Sequence, residues 1–178
     1  MRTAIEAIHT ALTAHSQYCL AKNFCYIYGA KGTKINSRAD VEYFFKTEPA
    51  YFARYSAEEK EQIIRNSIGK IAYDCSGFVG WLCTGDHQYS AGQIANAHNI
   101  KTTAEGFAAN PAGSILFTTY GGRGRHIGID VDHGFCCDMA YESTDANIAA
   151  GKAGVRFYPI IGGQTAWEKS GLSNVLQY

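Results

Sequence analysis

The chain has 178 residues, 46% of them hydrophobic, enough for one folded domain with a sizeable core. Sixteen basic and sixteen acidic residues cancel to a net charge of zero, so no overall field favours nucleic acid or an anionic membrane surface. No apolar run reaches transmembrane length, and Met1 to Leu20 lacks the apolar centre of a signal peptide.

Residues 3–22 read as a helix, with Thr3 and Glu6 as a capping box and an apolar stripe through Ile5, Ile8, Leu12 and, at its end, Cys19 and Leu20. Asn23 to Thr33 is turn-rich and aromatic. Residues 36–70 read as two or three helices: Ser37 with Asp40 caps one, Ser56 with Glu59 caps another, and the stretch closes near Gly69. An aromatic cluster runs through it, from Tyr43, Phe44 and Phe45 to Tyr51, Phe52 and Tyr55. This segment reads as an accessory helical hairpin or as a wall of a substrate cleft, and the two are compatible. Asp74 then caps a helix opening at Cys75 and ending near Gly85. A short helix is expected in Ser90 to Asn99, followed by a loop to Pro111. Strands follow near Ser114–Thr119, His126–Asp132, Phe135–Tyr141 and Val155–Ile161, and their hairpin connections suggest an antiparallel sheet.

Six cysteines, Cys19, Cys25, Cys75, Cys83, Cys136 and Cys137, are too few for a disulfide framework in a chain of this length, and most read as reduced core residues. Cys19 and Cys25 are a conceivable bridge in a secreted chain, though buried free thiols suit them better. Cys75 differs from the rest. It stands at a helix N-terminus, where unpaired N–H groups and the positive end of the dipole stabilise a thiolate. Asp74 opposes this if charged, so a basic partner is needed. His126 supplies one: Ile127, Ile129 and Val131 alternate with His126, Gly128 and Asp130, the period of a half-buried strand that His126 opens. A Cys–His pair needs a third group to orient the imidazole. Asp138 on the next strand is the candidate, with Asp130 and Glu142 as rivals. Zinc held by His126, His133, Cys136 and Cys137 is awkward, because adjacent strand residues point to opposite faces. The glycine-rich loop Gly121 to Gly124, with Arg123 and Arg125, lacks the spacing and the lysine of a phosphate loop and reads as a hairpin loop.

Asp74-Cys75-Ser76-Gly77-Phe78 followed by His126-Ile127-Gly128-Ile129 resembles the NlpC/P60 family of papain-like cysteine peptidases, which cut bacterial cell-wall peptides. Tyr26-Ile27-Tyr28-Gly29-Ala30, Pro111 to Phe117, and the ending Trp167 to Tyr178 resemble further parts of that family's pattern, the last in its clostridial and phage-associated members. The resemblance implies an α+β papain-like fold, with helices packed on a central antiparallel sheet. Residues 1–178 would form one catalytic domain carrying a helical insertion at about 33–70, since the family's tyrosine and cysteine motifs usually lie close together. It implies Cys75 as nucleophile, His126 as general base and acid, and Asp138 as the orienting residue. Tyr26, with Tyr28 as rival, matches a cleft tyrosine near the nucleophile. Asp74 and Ser76 match the pair that binds a free L-alanine amine in some members, although capping explains Asp74 equally well.

The activity implied is that of a thiol protease, a peptidoglycan endopeptidase cutting at the γ-D-glutamyl to diamino-acid bond through an acyl-enzyme. An amidase cutting between the muramoyl lactyl group and L-alanine would use the same residues, and a wall-binding module with an idle site stands in a different class. No cofactor and no metal is implied. The expected partner is the peptidoglycan stem peptide, with no nucleic acid or membrane, and the expected state is a monomer. Without a classical signal peptide, release to the wall would depend on phage lysis, as for a bacteriophage endolysin, on a phage tail or on a secretion machine.

Overall fold

The computed structural model describes residues 2–85, 90–121 and 123–178, apart from the side chain of Arg123. In chain order, β1 (Arg2–Thr3) leads into α1 (Ala4–Ala21), then β2 (Phe24–Tyr26) and β3 (Lys31–Lys34). Three helices follow, α2 (Arg38–Thr47), α3 (Pro49–Phe52) and α4 (Ala57–Ser67), before β4 (Ile71–Tyr73) and α5 (Cys75–Thr84). The second half holds α6 (Ala91–Ile94), β5 (Ala97–Lys101), α7 (Ala104–Ala109), β6 (Ile115–Tyr120), β7 (Arg123–Asp130) and β8 (Phe135–Ala140). It ends with α8 (Asp145–Ala149), β9 (Gly154–Pro159), β10 (Lys169–Ser173) and β11 (Leu176–Gln177). The fold is α+β. Six strands form an antiparallel sheet in the order β5-β10-β6-β7-β8-β9, three form a smaller sheet β2-β4-β3, and β1 pairs with β11.

Helix α5 is the centrepiece. Phe78, Val79 and Leu82 pack on Ile127, Ile129 and Met139 from the large sheet and on the alanine face of α1. On the sheet's other face, Phe107, Leu116, Cys136, Tyr158, Ile160 and Trp167 form a separate cluster. The helical segment 36–70 has a core of its own, in which Val41, Phe44, Phe52, Ile63 and Ile64 close over Ile27 and Ile35. Both capping boxes expected there form: Asp40 accepts from the Ser37 N–H at 2.9 Å and Glu59 from the Ser56 N–H at 2.8 Å.

The structure corrects several expectations. The buried face of α1 is Ala4, Ala7, Ala11 and Ala14, while Ile5, Leu12, Cys19 and Leu20 are exposed. The alanines repeat at helical spacing too, and their small side chains let the helix backbone approach its neighbours; an added Cβ on Gly113 would lie 2.6 Å from Ala4 Cβ. All six thiols are free, as expected, and Cys25 is buried, but Cys19 is exposed rather than buried. The stretch expected as a loop before Pro111 carries β5 and α7, and β10 pairs with both β5 and β6 in the main sheet. His126 lies within β7 rather than at its start. Gly122 and the Arg123 side chain, part of the glycine-rich loop, lie outside the described residues.

At Gly77 helix α5 meets the start of β3. A Cβ there would come within 2.8 Å of the Ala30 carbonyl oxygen and 2.9 Å of Lys31 Cδ. Gly77→Ala is therefore expected to destabilise the fold by about 1–3 kcal/mol through overpacking. Urea denaturation should show a lower midpoint with an unchanged slope.

Candidate active site

The N-terminus of α5 is held from two sides. Backbone pairing brings the Asp74 N–H to the Ala30 carbonyl at 2.7 Å, and Asp74 Oδ1 caps the helix by accepting from the Gly77 N–H at 2.6 Å. Cys75 is the first helical residue and is buried except for a small opening. Lys31, from β3, reaches over Gly77 and places Nζ 2.7 and 2.8 Å from the two Asp74 carboxylate oxygens, and it donates to Ser76 Oγ as well. The charge on Asp74 that would oppose a thiolate is thus matched by an ammonium.

His126 comes from β7. Opposite it, the β6–β7 ladder slips by one residue: Thr118 pairs with His126 but Thr119 pairs with Gly124, leaving Arg125 as a bulge. Bulges bend a strand and re-aim the neighbouring side chain. The imidazole stacks on Trp167, with ring centroids 5.4 Å apart and planes 8° from parallel. Gly128 makes that possible, since a Cβ there would lie 2.9 Å from the Trp167 ring. His126 Nε2 meets Asp138 Oδ2 at 2.7 Å, and Cys75 lines the same cleft beside the ring and acts on its charge. With Nε2 on the carboxylate, Nδ1 is the nitrogen left for the thiol.

Asp138 is fully buried, and strand register supplies its partners. Gly128, Asp138 and Arg156 form one row across β7, β8 and β9. Arg156, itself 3% exposed, donates from Nε to Asp138 Oδ1 at 2.7 Å and from Nη2 to Oδ2. The Tyr158 hydroxyl donates to Oδ2 at 2.7 Å and accepts from the Thr165 hydroxyl at 2.8 Å, and Thr165 in turn accepts from Arg156. Burial works to raise the Asp138 carboxyl, but His126 and Arg156 outweigh it and hold it below the ordinary range. Burial likewise works to lower His126, yet Asp138 and Cys75 lift it to about 9. At neutral pH it is an imidazolium.

Cys75, His126 and Arg156 line an open cleft of about 1010 Å³. Tyr26 lies beside Cys75 in this cleft; burial first, then the neighbouring Cys75, Tyr51 and Glu142, push its phenol up. Tyr28 sits at the rim, stacked on Tyr51 at 3.9 Å, and Arg54 lies 3.7 Å over the Tyr51 ring. Tyr51 and Arg54 come from the helical segment 36–70, which thus has its own core and also forms one wall of the cleft.

All six sequence-derived site residues, Tyr26, Asp74, Cys75, Ser76, His126 and Asp138, converge here. The rivals for the third position do not reach His126. Asp130 bonds to the Asp132 N–H at 2.8 Å, and Glu142 accepts from Tyr55 at 2.5 Å. Arg156, Trp167 and Lys31 were not foreseen. Arg156 was within reach of a register argument, as a lone charge in an otherwise apolar strand opposite Asp138. Among the described residues, no group of three or more His, Cys, Asp or Glu side chains is placed to hold a metal ion.

The arrangement is a cysteine–histidine–carboxylate constellation at a helix N-terminus on an α+β scaffold. No protein-family model and no curated protein matches the sequence. Among solved structures, the P60 domain of antigen MAP1204 from M. avium subspecies paratuberculosis aligns over 98% of this chain and 98% of its own, at 14% identity and a TM-score of 0.44.

Asp138→Asn should leave Arg156 buried without a counter-charge and cost about 3–5 kcal/mol of stability. It should also move the His126 titration, followed by NMR of the ring protons, from about 9 to the ordinary 6.5 or below. A raised folded-state value contributes stability in full below about 6.5 and loses it as pH rises through about 9. The stability gap between wild type and variant should therefore narrow over that window, with the Arg156 share persisting.

Proposed function

We propose that this protein is a cysteine peptidase of the NlpC/P60 type that cleaves peptidoglycan stem peptides at the γ-D-glutamyl to diamino-acid bond. The observation that carries the chemistry is the imidazole of His126, bonded to Asp138 and sharing an open cleft with Cys75, which acts on its charge. The paired Asp-Cys-Ser-Gly and His-Ile-Gly-Ile motifs support the substrate class. On this reading the place of action is the cell wall.

With the proton held on the His126 imidazolium, the Cys75 sulfur attacks the scissile carbonyl carbon. A C–S bond forms and the carbonyl π pair moves onto oxygen. The Cys75 N–H, a first-turn donor with no intrahelical acceptor, and the Tyr26 hydroxyl receive that oxyanion. Collapse of the intermediate breaks the C–N bond, and the His126 imidazolium protonates the departing amine. Water then attacks the thioester carbon while giving a proton to His126. The C–S bond breaks, the sulfur leaves as thiolate beside the His126 imidazolium, and the acid product departs. Asp138 and Arg156 touch no reacting atom; they hold the ring and its charge.

Digestion of purified peptidoglycan by the intact protein, but not by Cys75→Ala, should release peptides whose masses place the cut at that bond. Intact stems with bare glycan would identify the amidase instead, and no product from any wall type would contradict the proposal. Because the leaving amine needs an imidazolium, kcat should fall as pH rises through about 9. Tyr26→Phe should lower kcat roughly 10²-fold with little change in KM, as expected for an oxyanion donor.

A further inference from the structure

The ammonium of Lys31 sits between the two side chains that flank the nucleophile in sequence. Asp74 offers both carboxylate oxygens and Ser76 its hydroxyl, so the three N–H donors of the lysine meet three acceptors. Ser76 Oγ in turn donates to Asp74 Oδ1 at 2.9 Å, which fixes the acceptors relative to one another. The protein is shaped for this side chain. Gly77 carries no Cβ, and one there would lie 2.9 Å from Lys31 Cδ, so the first turn of α5 leaves room for the lysine stem to lie across it. Lys31, Asp74 and Ser76 line the same cleft as Cys75 and His126. The lysine side chain is 28% exposed and that of Asp74 is 10% exposed, so the ammonium closes the pocket from the solvent side.

We propose that Lys31 fills an ammonium pocket beside the nucleophile and thereby closes it to substrates bearing a free amino group. A second ammonium entering the pocket meets like charge and finds its acceptors taken. The substrate unit lying there must then present an amide, its nitrogen acylated, rather than a free amine. The pocket stands on geometry alone; the selection among peptides rests on the peptidase reading above.

Cys75 itself can report on the pocket. The full chain, as wild type, Lys31→Met, Lys31→Gln and Lys31→Arg, is treated with aminoethyl methanethiosulfonate, which carries a primary ammonium, and with neutral methyl methanethiosulfonate. Each reagent forms a mixed disulfide with the thiolate and releases methanesulfinate, and peptide mapping gives the rate at Cys75. The cationic-to-neutral rate ratio should rise about tenfold or more in Lys31→Met and Lys31→Gln, the worth of freeing a charge-assisted hydrogen-bond site, and stay at the wild-type value in Lys31→Arg. An unchanged ratio in Met and Gln variants that keep the wild-type circular dichroism overturns the pocket. A stem peptide with a free amino terminus and its N-acetylated twin then test the selection. Wild type should cleave the acetylated twin about tenfold faster, and Lys31→Met should narrow that preference. Cleavage of both at equal rates by wild type overturns the selection. A shifted reagent ratio with neither peptide cleaved leaves the pocket standing and removes the peptidase reading.

Discussion

A fully buried carboxylate is the constraint on which the site depends. Asp138 has no access to water, so its charge must be matched within the protein. Arg156 does this through two bonds, and its own burial means that it has no alternative partner of comparable strength. The Tyr158 hydroxyl and the His126 ring complete the shell. The ring orientation follows from that shell. With Asp138 immobilised across three strands, His126 is anchored at Nε2, stacked on Trp167, and left with one direction in which to meet Cys75. The network thus turns sheet register into the position and charge of an imidazole.

A second charge relation sets the surroundings of Cys75. Asp74 caps α5 and so fixes where Cys75 stands, yet an isolated carboxylate beside a thiolate would work against it. Lys31 resolves the conflict by pairing with that carboxylate on its far side. The glycine at position 77 is explained by the same contact, because the stem of Lys31 runs where its Cβ would be. Gly128 plays the matching part under Trp167. In both motifs the glycine permits a close approach that positions a catalytic-site ring or charge.

The parts legible in the sequence were those written over short spans. Asp74 before Cys75, the alternation from His126 to Val131, and the capping boxes of α2 and α4 all follow from spacing of a few residues, and each element formed within a few residues of its expected place. Arg156, Trp167 and Lys31 were hidden because their roles exist only once strands are paired in register and loops folded back. The face of α1 differs from its pattern for another reason: the large apolar side chains of Ile5 and Leu12 mark one stripe, while close packing selects the alanines. Likewise, the strands and helix around Pro111 are short, and it is sheet pairing rather than local pattern that makes them regular.

The central claim is that Asp138, His126 and the α5 N-terminus together make Cys75 a poised nucleophile. Site-resolved alkylation with iodoacetamide at neutral pH tests this most directly. Cys75 should react far faster than buried Cys25, Cys83, Cys136 and Cys137 and also faster than exposed Cys19. The Asp138→Asn variant, assayed in the folded state, should lose that advantage. A Cys75 no more reactive than the other buried thiols would contradict the account.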